Sequence, residues 1–210
     1  MKRLLLSLAL ATAFGHAAAQ DVLIRNATVH TGTSAGRIDN GDVLVRDGRI
    51  AAVGARLDAP EGIASIDAKG RALTPALFAG ITAIGLEEVS GEQPTVDGAL
   101  TLGLPESGLI AQMRPEFDVT LAFNPRSMLI PVVRTEGLGF TVLGASSVPG
   151  GSLVGGQGGV ARLDGGFEAP LADRRLLFVD LGAGASELSG NSRAAQWMLL
   201  EQAAREARTP

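Results

Sequence analysis

Short runs of alternating apolar and polar residues in the first third of the chain predict β-strands. The segment from Val22 to Thr31 opens with an apolar patch and predicts one strand. Asp47 and Gly48 lie between two β-rich runs and predict a two-residue hairpin, because both central positions of such a turn need positive φ. Residues 64–70 predict a further strand and a turn. These short strands predict a small β-sandwich lobe over residues 20–74.

The pattern changes at Thr74 and Pro75, where we expect a domain boundary. Proline cannot donate to a sheet ladder, and it pushes the residue before it into extended geometry. The segment from Leu77 to Ile84 is then almost continuously apolar, which predicts a strand buried on both faces. We assign residues 75–210 to a second domain.

Strands, helices and glycine-rich segments follow in this second domain. A loop from Glu87 to about Pro115 contains many glycines and prolines, and loops this long are usually functional or mobile. Asn124 or Ser127 then caps a predicted helix, and residues 140–143 predict a buried strand. A helix followed closely by a strand favours a parallel α/β sheet.

The last part of the chain predicts one more strand and one more helix. The strand covers residues 176–180, is expected to be buried, and ends at Asp180. Asn191 or Ser192 caps a helix that runs to about Arg208. Its apolar stripe is expected to pack on a core and includes Trp197, Leu200 and Ala204.

The glycine-rich segment from Gly144 to Gly159 has two interpretations. Its backbone N–H groups could hold a phosphate, as glycine loops after strands do in nucleotide-binding proteins. However, no Gly-Lys-Ser/Thr ending is present and no clear helix follows the segment. We therefore favour close backbone packing or a bent hairpin.

Residues 1–19 predict a secretory leader. Lys2 and Arg3 precede an apolar run that ends at Phe14, and Ala17-Ala18-Ala19 provides an A-x-A cleavage site. A membrane anchor is the alternative, but the apolar run is shorter than the roughly 20 residues that span a bilayer. We expect cleavage, a bacterial periplasmic or secreted protein, and no membrane association afterwards. The chain contains no cysteine, so its fold does not rely on disulfides.

Charge and histidine content restrict the function. The net charge is −4, and removal of Lys2 and Arg3 with the leader would make it −6. An acidic chain with 4% aromatic residues argues against nucleic acid as a partner. Cleavage also removes one of the two histidines and leaves only His30, which we interpret as an ordinary surface or packing residue.

Two stretches resemble the metal-dependent amidohydrolases. Residues 41–54 have the sequence Gly-Asp-Val-Leu-Val-Arg-Asp-Gly-Arg-Ile-Ala-Ala-Val-Gly. This sequence resembles the one usual in that family's N-terminal strands. Residues 75–83 resemble its motif Pro-Gly-Leu-Ile-Asp-x-His-x-His, whose two histidines bind the metal. In this chain the positions of those histidines are occupied by Ile81 and Ala83, which offer no lone pair. The glycine-rich segment is similar to one in the imidazolonepropionase-like branch of the family.

The resemblance implies a β-sandwich lobe followed by a (β/α)8 barrel of the TIM type. Such a barrel takes about 250 residues. The segment from Pro75 to Pro210 is about half as long, so we expect only the first half of the barrel. Unpaired strand edges would then need covering. The partner is expected to be the missing C-terminal half or a second amidohydrolase-like chain.

By resemblance, the chain belongs with hydrolases of non-peptide C–N bonds, but we do not expect it to hydrolyse anything alone. A carboxylate site built from Glu87, Glu88 and Asp180, which follow predicted strands, is a weak alternative. A second hypothesis is a non-catalytic pseudoenzyme that binds a ligand or pairs with an active relative. A third is a truncated product without activity. A divalent metal such as zinc is expected only if its ligands come from elsewhere.

Overall fold

The computed structural model describes residues 21–101 and 113–208. The leader predicted over residues 1–19 and the middle of the predicted 87–115 loop lie outside these residues. The chain divides into two units, one that ends at Pro75 and one that begins at Ala76. None of the helices in the described part of the chain has both the length and the apolar character needed to cross a membrane.

The first unit contains a five-stranded sheet. Its strands are β1 (Val22–His30), β2 (Arg37–Arg46), β3 (Arg49–Ala55), β4 (Ala64–Asp67) and β5 (Ala72–Leu73). The order across the sheet is β3-β2-β1-β4, and β5 pairs with β1. The β1–β2 and β2–β3 pairs are antiparallel, whereas β4 and β5 run parallel to β1.

The predicted hairpin joins β2 to β3. Asp47 and Gly48 have φ values of 50° and 70°, so both central positions lie in the left-handed region that this turn requires. The strand predicted from Val22 is also confirmed. Within the residues described up to Pro75, however, the strands form one sheet and not the two layers of the predicted sandwich.

Among its described residues, the second unit contains a four-stranded sheet and two α-helices. The strands are β6 (Leu77–Thr82), β7 (Leu138–Leu143), β8 (Val154–Arg162) and β9 (Pro170–Val179), in the order β6-β7-β8-β9. Helix α1 (Leu129–Thr135) lies between β6 and β7, and helix α2 (Arg193–Glu206) follows β9. The side chain of Ser192 caps α2 by accepting a hydrogen bond from the Ala195 N–H, so the predicted helix is confirmed.

The parallel sheet predicted for this unit is correct only for β6 and β7. Strands β8 and β9 are antiparallel additions, and β8 begins inside the segment that the sequence presents as a glycine-rich loop. Its glycines explain the difference, because they let the backbone approach its neighbours closely. A side chain at Gly158 would overlap the carbonyl oxygen of Leu143, and one at Gly159 would crowd the carbonyl oxygen of Arg174.

The core of the second unit lies on one face of its sheet. Its fully or nearly fully buried members are Leu86, Val119, Leu143, Ala145 and Ala161. Each large aliphatic side chain buried in this way contributes about 1.5–3 kcal/mol of transfer free energy. The core therefore fixes the loop segments around Leu86 and Val119 against β7 and β8.

Three apolar segments are more exposed than their sequence predicts. In β6, predicted to be buried on both faces, Phe78 is 52% exposed and Ile81 is 69% exposed. Most of β9 is exposed as well. In α2, Trp197 is exposed, and the buried residue is instead Gln196, whose side-chain amide exchanges two hydrogen bonds with the backbone of Gly182.

Candidate functional site

The end of β6 is where the resemblance places a metal site, and the residues there do not fit a metal. Ile81 pairs with Val142 in the sheet, and its side chain is largely exposed. Ala83 follows the last residue of β6 and packs half-buried against the core around Leu86. Neither side chain carries a nitrogen, oxygen or sulfur atom that could coordinate a cation.

No other metal cluster takes its place in the described residues. Across 21–101 and 113–208, no group of three or more histidine, cysteine, aspartate or glutamate side chains could hold an ion. His30 ends β1 in the first unit and is exposed. The structure thus offers no replacement ligand set within the part of the chain that it describes.

The two glutamates after β6 have different surroundings. The carboxylate of Glu88 accepts hydrogen bonds from the side-chain amide of Asn124 at 2.9 Å and from the hydroxyl group of Ser127 at 3.0 Å. Both of its oxygens are therefore used to hold the segment that leads into α1. The backbone of Glu87 forms isolated bridges with Ile84 and Val96, and its side chain is half-buried.

Asp180, the third acid that the sequence proposes, lies directly after β9. Its side chain is exposed, and its backbone N–H donates to the carbonyl oxygen of Leu153 at 2.9 Å. Within the described residues, no hydrogen bond or ion pair joins Asp180 to Glu87 or Glu88. The contacts therefore do not assemble these three acids into one site.

Sequence reasoning missed the carboxylate that organises the neighbouring loop, which is Asp118. One of its oxygens accepts from the N–H and the hydroxyl group of Thr120, at 2.9 and 2.6 Å. The other accepts from Nε of Arg175 on β9 at 2.9 Å. The Asp-x-Thr spacing is a helix-capping signal, and a short 3-10 helix over Val119–Ala122 does begin here. No sequence pattern identifies the distant arginine.

The glycine-rich segment contributes backbone packing in this chain. Gly156 has a φ of +118°, and a side chain there would meet the carbonyl oxygen of Phe117. The neighbouring Gln157 N–H donates to that same oxygen at 2.6 Å. The glycines of this segment therefore let β8 pack closely against the neighbouring backbone, which agrees with the packing interpretation.

The first unit contains an apolar groove with a volume of about 490 Å³. Its aliphatic lining comes from all three strands of the β1–β2–β3 meander and from β5, and consists chiefly of Ile24, Val43, Val45, Ile50, Val53 and Leu73. His30 and three threonines supply its polar groups. Among the described residues that line this groove, none is an acid, a lysine or an arginine.

The fold of this chain is similar to part of a solved structure, although its sequence matches no family model and no curated protein. A solved structure, the amidohydrolase from Thermotoga maritima MSB8, superposes with a TM-score of 0.68 over 86% of this chain and 46% of its own, at 23% identity. The chain has the fold of the corresponding part of that amidohydrolase. At this identity the likeness concerns the fold alone.

Two further solved structures overlap with much less of this chain. Molinate hydrolase matches 33% of this chain and 16% of its own at 23% identity, with a TM-score of 0.30. Another amidohydrolase matches 32% and 17% at 22% identity, with a TM-score of 0.29. This chain spans less than half of the length of the Thermotoga protein.

Proposed function

We propose that this chain is the N-terminal part of an amidohydrolase-type hydrolase of non-peptide C–N bonds, and that it does not hydrolyse its substrate alone. The observation that carries the proposal is the combination of an amidohydrolase fold with Ile81 and Ala83 at the metal positions. The similarity of residues 41–54 to the N-terminal strand sequences of amidohydrolases supports the same assignment. The glycine-rich segment from Gly144 to Gly159 is similar to one in the imidazolonepropionase-like branch of that family.

The proposal follows from the chemistry of the reaction class. Amidohydrolases use a bound metal to generate a nucleophilic water and to polarise the carbonyl group. Ile81 and Ala83 can neither bind such a metal nor move a proton. The carboxylate of the nearby Glu88 accepts hydrogen bonds from the side chains of Asn124 and Ser127. Hydrolysis would therefore need metal ligands from outside the described residues 21–101 and 113–208.

A second candidate is a pseudoenzyme subunit that binds a ligand or pairs with an active relative. It is favoured by the coverage of 46% of the Thermotoga protein, which leaves more than half of that fold to another segment or chain. In this view β6 and β7 are the first strands of a barrel whose remaining strands come from the partner. Export by the leader would place this chain in the periplasm or outside the cell, so a separate partner would need its own route to the same compartment.

The experiment is a hydrolysis assay on the purified mature chain with added zinc. Release of amine or ammonia is followed from a panel of cyclic and linear amides, and the same preparation treated with a chelator provides the blank. We expect no difference between the two. Turnover that requires the chain and disappears with the chelator would overturn the proposal.

The pseudoenzyme alternative has its own test. An active amidohydrolase from the same host that copurifies with the chain, and loses activity when the chain is removed, would favour it. An active relative whose yield and activity are unchanged without this chain would contradict it.

A further inference from the structure

We propose that Asp47 is a site of spontaneous covalent modification, at which aspartate isomerises to isoaspartate through a cyclic imide. Asp47 and Gly48 form the two-residue turn between β2 and β3. Neither a metal nor a substrate or partner of the proposed function takes part in this reaction. The conformation and the hydrogen bonding of the turn select the site.

The reaction needs the side chain, the next backbone nitrogen and water. The nitrogen of Gly48 attacks Cγ of Asp47, a bond forms between these two atoms, and the hydroxyl group of the protonated carboxyl leaves as water with the N–H proton. A second water molecule then opens the ring. Cleavage of the new bond restores aspartate, whereas cleavage between the main-chain carbonyl carbon of Asp47 and the nitrogen of Gly48 leaves isoaspartate. One water is released and one consumed, so the mass is unchanged.

The sequence offers four pairs in which glycine follows asparagine or aspartate. Glycine at the second position leaves the attacking nitrogen least hindered, because it has no side chain. The pairs are Asn40-Gly41, Asp47-Gly48, Asp97-Gly98 and Asp164-Gly165. By sequence alone Asn40 would react fastest, because its amide reacts at neutral pH whereas an aspartate must first be protonated. The folded chain reverses this order.

The turn leaves both reacting groups of Asp47 and Gly48 accessible. Both residues are exposed, and the N–H of Asp47 donates to the carboxylate of Asp21 at 2.9 Å. Among the described residues, neither the carboxylate of Asp47 nor the N–H of Gly48 has a hydrogen-bond partner. Glycine tolerates positive and negative φ alike, so the peptide unit between the two residues can rotate towards the geometry of attack.

The pair at Asn40 is held in the sheet. Gly41 is buried in β2 and pairs with residues of both neighbouring strands. The next residue, Asp42, is 3% exposed and accepts hydrogen bonds from the backbone N–H groups of Asn26 and Leu57 at 3.1 and 3.0 Å. Rotation of the Gly41 nitrogen towards the Asn40 side chain would break these strand pairs.

The two other pairs are held by different contacts. One carboxylate oxygen of Asp164 accepts from the N–H of Gly166 at 2.8 Å, and the other forms an ion pair with Nε of Arg162 at 2.8 Å. This carboxyl group cannot turn towards the next nitrogen without losing both contacts. In the remaining pair Gly98 is buried, and its carbonyl oxygen accepts from the N–H of Ser146 at 2.8 Å.

Isoaspartate at position 47 would loosen β3. The extra backbone carbon removes the geometry of the two-residue turn, which needs positive φ at both central positions. Within the described residues β3 pairs only with β2, at the edge of the sheet. The modification would therefore release an edge strand and leave the β1–β2 pair in place.

Ageing at neutral pH tests the proposal on the protein purified from its native host at its natural length. An isoaspartyl methyltransferase with a labelled methyl donor quantifies isoaspartate, and peptide mapping locates it. In the folded protein we expect at least roughly tenfold more isoaspartate at Asp47 than at Asn40, because only Asn40 needs local opening to react. In protein aged in urea, Asn40 should react faster than Asp47.

Two variants test the chemistry at the turn. Asp47→Asn keeps the turn, because Asn-Gly is favoured at the same two positions, and it should form isoaspartate faster than the unmodified protein, with release of ammonia. Asp47→Glu cannot form the five-membered ring and should give no isoaspartate at this position. More isoaspartate at Asn40 than at Asp47 in the folded protein, as little at Asp47 as at Asp164, or no acceleration in Asp47→Asn would each overturn the inference.

Discussion

The carboxylate of Glu88 accepts a hydrogen bond from the hydroxyl group of Ser127 at 3.0 Å, across 39 residues of chain. Ser127 is buried, so its hydroxyl group depends on this partner. Glu88, which its position in the sequence makes a catalytic candidate, thus connects the loop after β6 to the start of α1. Its role in the described structure is to position the loop.

Glu88→Ala should destabilise the chain by about 1–3 kcal/mol, because it leaves a buried hydroxyl group without its acceptor. Urea unfolding of the purified mature chain measures this change. Glu87→Ala is the control. It should have a smaller effect, since the side chain of Glu87 makes no hydrogen bond to any described residue. Equal free energies of unfolding for Glu88→Ala and the unmodified chain would contradict this role.

Gly158→Ala tests the close packing of β8. The added methyl group would overlap the carbonyl oxygen of Leu143 and approach the ring of Phe178, so we expect a loss of at least about 1–3 kcal/mol, or failure to fold. Gly184→Ala is the matched control, because nothing lies within 4 Å of the added group. If both variants unfold at the same urea concentration, β8 does not pack as described.

The same strand shows where sequence reasoning fails. The hairpin at Asp47 and Gly48 was predictable because its signal is local: two residues that accept positive φ between two β-rich runs. Strand β8 carries no such signal, because glycine disfavours strands unless a neighbouring backbone must come close. That requirement comes from Leu143 and Phe117, which are distant in sequence.

Asp67 gives a pH-dependent prediction. Hydrogen bonds from the backbone N–H of Lys69 and then from the side chain of Asn26 hold the pKa of Asp67 below its ordinary value of 3.8. A lowered folded-state pKa adds stability above the ordinary pKa, and this stability is lost as the pH falls through the folded value. Asp67→Asn should therefore be less stable than the unmodified chain at pH 7.

The difference between Asp67→Asn and the unmodified chain should shrink as the pH falls from 3.8 through the lower folded-state pKa, below which the carboxylate is protonated in both states of the unmodified chain. Unfolding in urea at several pH values measures it. A difference that stays constant from pH 7 to the acid limit would refute the assignment.

The stacked pair of Phe78 and Phe140 predicts apolar dye binding. Their ring centroids are 5.3 Å apart and their planes 21° apart, yet both rings are exposed. The double variant Phe78→Ser and Phe140→Ser should reduce binding of the dye ANS by the purified chain, because the two rings form one patch. Phe167→Ser removes a single exposed ring that packs on Arg126 and should change binding less.

Helix α2 marks another limit of prediction. Its bounds and its Ser192 cap follow from local sequence, but its expected core stripe at Trp197 is exposed. The helix is instead attached through Gln196, whose amide satisfies both backbone groups of Gly182. Periodicity shows which apolar residues share one face of the helix. It does not show whether another part of the protein packs against that face.

The most direct test of the central claim is the metal content of the mature chain after incubation with equimolar zinc and gel filtration. We predict well under about 0.1 zinc per chain, because Ile81 and Ala83 supply no ligands and a protein zinc site needs three or four. Retention of one zinc per chain would contradict the account, because this chain would then hold a metal site of its own.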